Sequence, residues 1–275
     1  MIVDAHHHLW DRTRDDHGWL DAPGLEAIRR DFGTDDLAAA AAGAVTTTVA
    51  VQALHSSAET HSLLAAARPV AGVVGWVDLA SSRCDERLSA LVAGPGGEKL
   101  RGIRHLVQDE PDPQWLLRPR VARGLRTVAD RGLVFDLLVR RPQRSAGLES
   151  ARSLPDVPFV IDHAGKPDIG AGEWDAWAAW IDAMAALPNV TCKLSGLVTE
   201  CPPRRWSRAL IAPYARHVLD TFGADRVLFG SDWPVCLLQA SYAQVLELTV
   251  DLLDGASPTE RDAVLGGTAR RVYRL

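Results

Sequence analysis

Cysteine is sparse and unpatterned in this chain of 275 residues: Cys84, Cys192, Cys201 and Cys236 form no C-x-x-C pair and no zinc-finger spacing. Four scattered thiols in a chain of this length do not make a disulfide framework and read as free thiols in a reducing cytosol. A long apolar run is also missing. A bilayer-crossing helix needs about 18 consecutive apolar residues, and the Ala-rich stretch from Ala38 to Ala44 is too short. The start, Met1-Ile2-Val3-Asp4-Ala5-His6, lacks the cationic region followed by an apolar one that marks a signal peptide. The expectation is a cytoplasmic protein with no membrane partner. Basic excess is absent too: the net charge is -5 and no basic patch stands out, which argues against nucleic acid as a partner. Linker-like segments, internal repeats and low-complexity tracts are not found.

What is there is ordinary globular material, with 47% hydrophobic and 24% charged residues. Short apolar, β-branched runs recur: Ile2–His7, Thr46–Gln52, Val70–Val77, Gly102–Val107, Leu133–Val139, Phe159–His163, Val190–Leu194 and Val227–Gly230. Helix-like segments lie between most of them, at Asp36–Ala42, Ser57–Ala67, Pro119–Arg131, Glu173–Leu187, Arg208–Phe222 and Tyr242–Leu253. Alternation of this kind predicts parallel βαβ units, and near-continuous apolar runs predict strands buried on both faces. Eight units favour an α/β fold of the closed (β/α)8 TIM-barrel type, one domain over residues 1–275, with the first and eighth strands paired. A doubly wound open sheet is the alternative.

The sharpest chemical feature is His6-His7-His8 at the end of the first strand. Strand side chains alternate, so His6 and His8 share a face, with Asp4 one step deeper, and His7 points away into the packing. Two imidazoles about 7 Å apart along a strand can converge on one ion where the strand twists or ends. The run Arg226–Pro234 ends in Gly230-Ser231-Asp232. Barrel closure would set Asp232 beside the histidines, where a carboxylate can bind the ion and take a proton from attacking water. The sixth strand ends in Asp162-His163-Ala164-Gly165-Lys166-Pro167. It offers His163 as a third nitrogen ligand or as a neutral donor to a substrate carbonyl. The fourth strand leads into Arg104-His105-Leu106-Val107-Gln108-Asp109-Glu110. Arg104 can fork a carboxylate or bind ester oxygens. Glu110 is the carboxylate best placed to complete a metal site or accept a proton, whereas Asp109 and Asp112 read as solvated loop. Trp10, Trp76, Trp115 and Trp233 lie near strand ends. Trp174, Trp177 and Trp180, at helical spacing, read as packing.

His6-x-His8, Gly102–Pro113, His163-Ala164-Gly165-Lys166-Pro167, Lys193-Leu194-Ser195-Gly196 and Gly230-Ser231-Asp232-Trp233-Pro234 together resemble the amidohydrolase-2 family. Within it they resemble the sugar-lactonase branch of L-fucono- and L-rhamnono-lactonase-like enzymes, from residue 1 to about 272. The resemblance implies a (β/α)8 barrel that hydrolyses the ester of a sugar lactone ring. It implies one divalent ion, expected to be zinc, although relatives in this branch also work without a metal. It carries a ligand role onto His6, His8 and Asp232, and a carbonyl contact onto His163. Glu110 is the expected remaining ligand. The fifth strand has no histidine, so a two-metal site is not expected. The mechanism read from these residues is water attack on the lactone carbonyl, with Asp232 as general base and His163 stabilising the oxyanion. Arg104, Lys166, Trp10, Trp76 and Trp233 would position the polyol, in an enzyme of sugar catabolism whose assembly is open to a homo-oligomer. The rival readings are a decarboxylase or lactone isomerase on the same site, a two-metal phosphotriester or amide hydrolase, and a non-catalytic binding barrel.

Overall fold

The computed structural model describes all residues from Met1 to Leu275. Eight strands run in chain order: β1 (Ile2–His7), β2 (Val45–Val51), β3 (Val70–Gly75), β4 (Leu100–His105), β5 (Val134–Leu137), β6 (Phe159–Ile161), β7 (Val190–Leu194) and β8 (Val227–Phe229). Each pairs in parallel with the next, in the order one to eight. A helix follows every strand: α1 (Thr34–Ala41), α2 (Ser57–Leu64), α3 (Cys84–Ala93), α4 (Pro119–Asp130), α5 (Arg144–Ser153), α6 (Asp175–Ala185), α7 (Arg208–Phe222) and α8 (Tyr242–Leu252). Two short helices, α9 (Pro258–Asp262) and α10 (Thr268–Tyr273), end the chain. This is the expected (β/α)8 barrel. Its helix starts use local chemistry: the hydroxyls of Ser56, Ser207, Ser241 and Ser257 accept from the third residue beyond, which satisfies a free amide of the first turn.

The closing seam differs from a strand ladder. It is made just beyond β8, where the Asp232 amide donates to the His6 carbonyl (2.8 Å) and the His8 amide to the Trp233 carbonyl (2.7 Å). Those two bonds carry Asp232 directly onto the end of β1.

Of the eight helices that follow strands, two, α3 and α5, lie outside the helix-like segments named from the sequence. The face that α5 buries is Arg144, Ala146, Gly147, Ser150 and Ala151. Such a face is small and polar rather than apolar, so hydrophobic periodicity does not reveal it.

Inside the barrel the residues form layers. At the bottom Val3, Ala5, Val49, Val51, Val74, Val134, Val160 and Leu228 pack together, with Ala269 and Tyr273 of α10 as a plug. The next layer is charged: Arg104, Asp136, Asp162 and Lys193 are all at most 2% exposed. The Lys193 ammonium bonds Asp136 and lies 3.0 Å from Asp162, and the Tyr273 hydroxyl donates to Asp136 at 2.8 Å. Above that layer lies the barrel mouth.

Candidate active site

β1 is irregular where it matters. Asp4 pairs with Thr48 and His7 with Ala50, so three steps on β1 match two on β2. The extra residue breaks the alternation. Val3 and Ala5 face the interior, and so do His6 and His8, while Asp4 and His7 face out. Asp4, expected on the face of His6, instead accepts from the Ser231 amide and hydroxyl and from the Tyr242 hydroxyl on the outer side. Burial pushes its carboxyl up to about 6 against those hydrogen bonds. His7 turns outward as expected, with Nε2 at 2.9 Å from the Thr48 hydroxyl. Gly230 makes the inward turn of His6 tolerable: a Cβ there would lie 2.7 Å from the His6 Cβ.

At the mouth, three acceptor atoms meet. His6 Nε2 and His8 Nε2 are 3.2 Å apart, and Asp232 Oδ1 is 3.8 and 3.5 Å from them. The other ring nitrogens are accounted for. His8 Nδ1 lies 2.7 Å from the Val51 carbonyl, to which it can only donate. His6 Nδ1 lies 3.2 Å from Asp162 Oδ1 and 3.1 Å from the Lys193 ammonium. Burial, reinforced by Lys193, holds His6 well below its ordinary pKa, so it is neutral. With the ring hydrogen on Nδ1, each histidine would turn its Nε2 lone pair toward the Asp232 carboxylate. Burial would raise Asp232, but His163 and His8 beside it keep it below its ordinary value and ionised.

Three lone-pair atoms facing one another repel unless a cation lies among them. Ligands of a tetrahedral zinc ion, at bond lengths of about 2.0–2.2 Å, are about 3.3–3.6 Å from one another. The observed separations bracket that spacing. A hydrogen bond from the far ring nitrogen to a carbonyl or carboxylate is also the usual support of a metal-bound histidine. His6, His8 and Asp232 thus fit a divalent ion. His6, Asp162 and His163 form a second close set, but Asp162 is already engaged by Arg104 (2.9 Å) and Lys193.

His163 completes the mouth, with Nε2 at 3.9 Å from Asp232 Oδ1 and Nδ1 at 3.0 Å from the Ser195 hydroxyl. Burial lowers its pKa to about 4, so the ring is neutral. If the Ser195 hydroxyl donates to Nδ1, the ring hydrogen sits on Nε2 and faces the site. The backbone here is unusual. His163, Ala164 and Lys166 have φ of 54°, 51° and 51°, and Gly165 has 71°; Asp232 has 57°. Left-handed conformations cost about 1–3 kcal/mol for each non-glycine residue and cluster at functional sites. Gly196 gives His163 room, since a Cβ there would lie 2.5 Å from its Nδ1.

A cavity of about 430 Å³ opens above these groups. His8, His163, Asp232, Arg104, Lys166 and Trp10 line it as expected, together with Trp19, His55, Gln108, Asp109 and Thr199. Asp109, read as solvated loop, is therefore in the wall. Arg104 lines the cavity while only 2% exposed. Its guanidinium is spent on Asp162, on the side-chain and backbone oxygens of Gln52, and on His6 Nε2 at 3.3 Å. It cannot also fork a substrate carboxylate.

Three expected contacts fall elsewhere. Glu110 is not in the ligand cluster: the turn Val107–Asp109 swings it back over the outward-facing His105, whose Nε2 it binds at 2.7 Å. Trp76 stacks on His55 and its indole N–H lies 3.3 Å from His105 Nδ1, outside the cavity wall. Trp233 is 1% exposed and packs edge-on against Phe32. Sequence reasoning gave no role to Asp162 and Lys193. The signal was present: charges at inward positions of strands that are otherwise apolar.

The sequence profile of the amidohydrolase family matches residues 3–275. The chain belongs to the amidohydrolase family. L-fucono-1,5-lactonase from Burkholderia ambifaria is similar to this amidohydrolase, 39% identical over 99% of this chain and 95% of its own length. An L-rhamnono-gamma-lactonase from Scheffersomyces stipitis is 27% identical over 72% of this chain and 66% of its own length. A crystal structure of a Burkholderia multivorans amidohydrolase with bound zinc superposes with a TM-score of 0.92, at 38% identity, covering 100% of this chain and 99% of that one. No helix of this amidohydrolase is long and apolar enough to cross a membrane.

Proposed function

We propose that this amidohydrolase opens the ring of a sugar lactone by water attack at the lactone carbonyl. The observation that carries the reading is the meeting of ionised Asp232, neutral His163 and His8 in the wall of one cavity, with His6 buried just beneath them. It occurs in a chain 39% identical along nearly its whole length to a protein named L-fucono-1,5-lactonase.

Ionised Asp232 accepts only, so it takes the proton of the attacking water. Neutral His163, backed by Ser195, presents its Nε2 hydrogen where charge develops on the carbonyl oxygen. Trp10 and Trp19 offer flat faces to the ring, and Gln108, Asp109, Lys166 and Thr199 offer partners to its hydroxyls. Lys166 is itself held by Gln108 at 3.1 Å and Glu200 at 3.4 Å. His6, His8 and Asp232 would hold a divalent ion, most suitably zinc, which when bound supplies Lewis acidity and lowers the pKa of water. The buried Arg104–Asp162–Lys193–Asp136 layer keeps His6 fixed from below. We read residues 1–275 as one catalytic domain working in the cytoplasm on a sugar-breakdown product.

A decarboxylase reading is less well supported. It requires a cation free to clamp a carboxylate, and Arg104 and Lys166 are both paired. The test is a pH-indicator screen of aldonolactones with and without a chelator. Turnover of at least one aldonolactone is expected, reduced by chelation and restored by zinc. A screen in which no aldonolactone is opened faster than its spontaneous rate would overturn the reading.

A further inference from the structure

The turn that presents His163 does not hold itself. Four successive residues, His163 to Lys166, are left-handed, and only Gly165 among them is a glycine. Backbone in that state persists when its surroundings over-determine it. The carbonyls of the turn show what does so. The His163 carbonyl accepts from the Lys166 amide at 2.8 Å. The Ala164 carbonyl accepts from the Trp177 indole at 2.7 Å. The Gly165 carbonyl accepts twice from Arg144, at 3.1 and 3.0 Å, and the Lys166 carbonyl once, at 2.8 Å. Every carbonyl of the turn is taken, three of them by side chains of α5 and α6.

Arg144 is the hub. It is 4% exposed and lies outside the cavity wall. Glu173 holds its guanidinium from behind at 2.8 and 3.2 Å, and the Trp180 indole donates to the Arg144 carbonyl at 2.7 Å. A planar guanidinium can address two adjacent carbonyls and a carboxylate together, whereas an ammonium cannot match that fork.

We propose that Arg144, seconded by Trp177, is a positioning residue for the lactonase reaction. It locks the left-handed turn that aims His163 at the reacting carbonyl and Lys166 at the substrate hydroxyls. The inference rests on the proposed lactonase reading for its kinetic consequence, but the placement of His163 can be read without turnover. A misplacement of about 1 Å can cost about 100-fold in rate. Arg144→Lys should therefore lower kcat by about 10- to 100-fold, with a smaller change in KM.

The experiment is a double-mutant cycle of Arg144→Lys with His163→Asn on the best aldonolactone, alongside long-range ¹H–¹⁵N spectra of the histidine rings. Trp177→Phe removes a single donor while keeping one aromatic ring in the packing. It carries the same cycle if the arginine variant folds poorly. The expected result is that Arg144→Lys slows the His163 enzyme but adds less than about twofold loss once His163 is Asn, because coupled residues are non-additive. The His163 ring signals should move in Arg144→Lys and in Trp177→Phe while those of His8 stay. Equal losses in both backgrounds, or wild-type kcat in Arg144→Lys and Trp177→Phe, would overturn the proposal. If the wild-type protein opens no aldonolactone, the proposed function fails. The spectra then decide the positioning claim alone: unmoved His163 signals reject it and shifted ones sustain it.

Discussion

Two places at the mouth of this barrel gather histidines and carboxylates, and only one gathers their lone pairs. At the β1–β8 seam, His6, His8 and Asp232 turn acceptor atoms toward one point, 3.2–3.8 Å apart. At the rim beyond β4, His105 gives Nε2 to Glu110 at 2.7 Å, takes the Trp76 indole on the other side, and stacks between His55 and Trp115 at 3.9 and 4.0 Å. His55 in turn accepts from the Leu106 amide at 3.0 Å. The rim is saturated: each polar atom named has a partner of the opposite kind. Residue type is therefore a poor guide to chemistry, and the direction in which acceptor lone pairs converge is a better one.

The largest effect should come from breaking the seam. Asp232→Asn keeps the shape and removes the basicity, so kcat should fall by about 10²–10⁴-fold with little change in Tm. The pH dependence follows with a definite sign. The base must be ionised, and His163 and His8 hold Asp232 below its ordinary value despite its burial. The rate should therefore fall only as pH drops through that low value, leaving kcat/KM flat over about pH 5–8. His163 is already neutral throughout that window, its pKa being about 4.

Beneath the seam, Lys193→Met leaves Asp136 and Asp162 as buried charges without their ammonium. Removing one partner of such a group costs about 3–5 kcal/mol, which denaturant unfolding will show as a lower midpoint. Next comes Gly196→Ala. Gly196 has φ of 65° and its new methyl would strike His163; kcat should drop by about 10- to 100-fold as that ring shifts. The smallest effect sharpens the comparison from the rim. Glu110→Ala should change kcat by less than about threefold, a barrier change under about 0.7 kcal/mol, since Glu110 lies outside the ligand cluster and the cavity wall and bonds His105. A loss like that of Asp232→Asn would restore Glu110 to the ligand set.

The fold was legible because eight apolar runs and their spacing survive any error at their ends. Helix α5 was not, because what it buries is small and polar. At the site, His6, His8, Asp232 and His163 were legible from strand ends and chain order. The alternation argument reached the correct face for His6 through a bulge that it did not foresee, which is why Asp4 came out on the other side. Glu110 failed for a different reason: nearness in sequence to a strand end does not say which way the following turn swings. Trp177 and Trp180 read as packing, and they do pack, yet the Trp177 indole hydrogen holds the Ala164 carbonyl beside His163 and that of Trp180 holds the carbonyl of Arg144.

The comparison can be tested most directly by titrating the chelator-treated protein with zinc and following the ring nitrogens of its histidines by NMR. The account predicts that one equivalent shifts the Nε2 signals of His6 and His8, while His55 and His105 keep theirs. Zinc that shifts the rim histidines instead, or that leaves His6 and His8 unchanged, would contradict it.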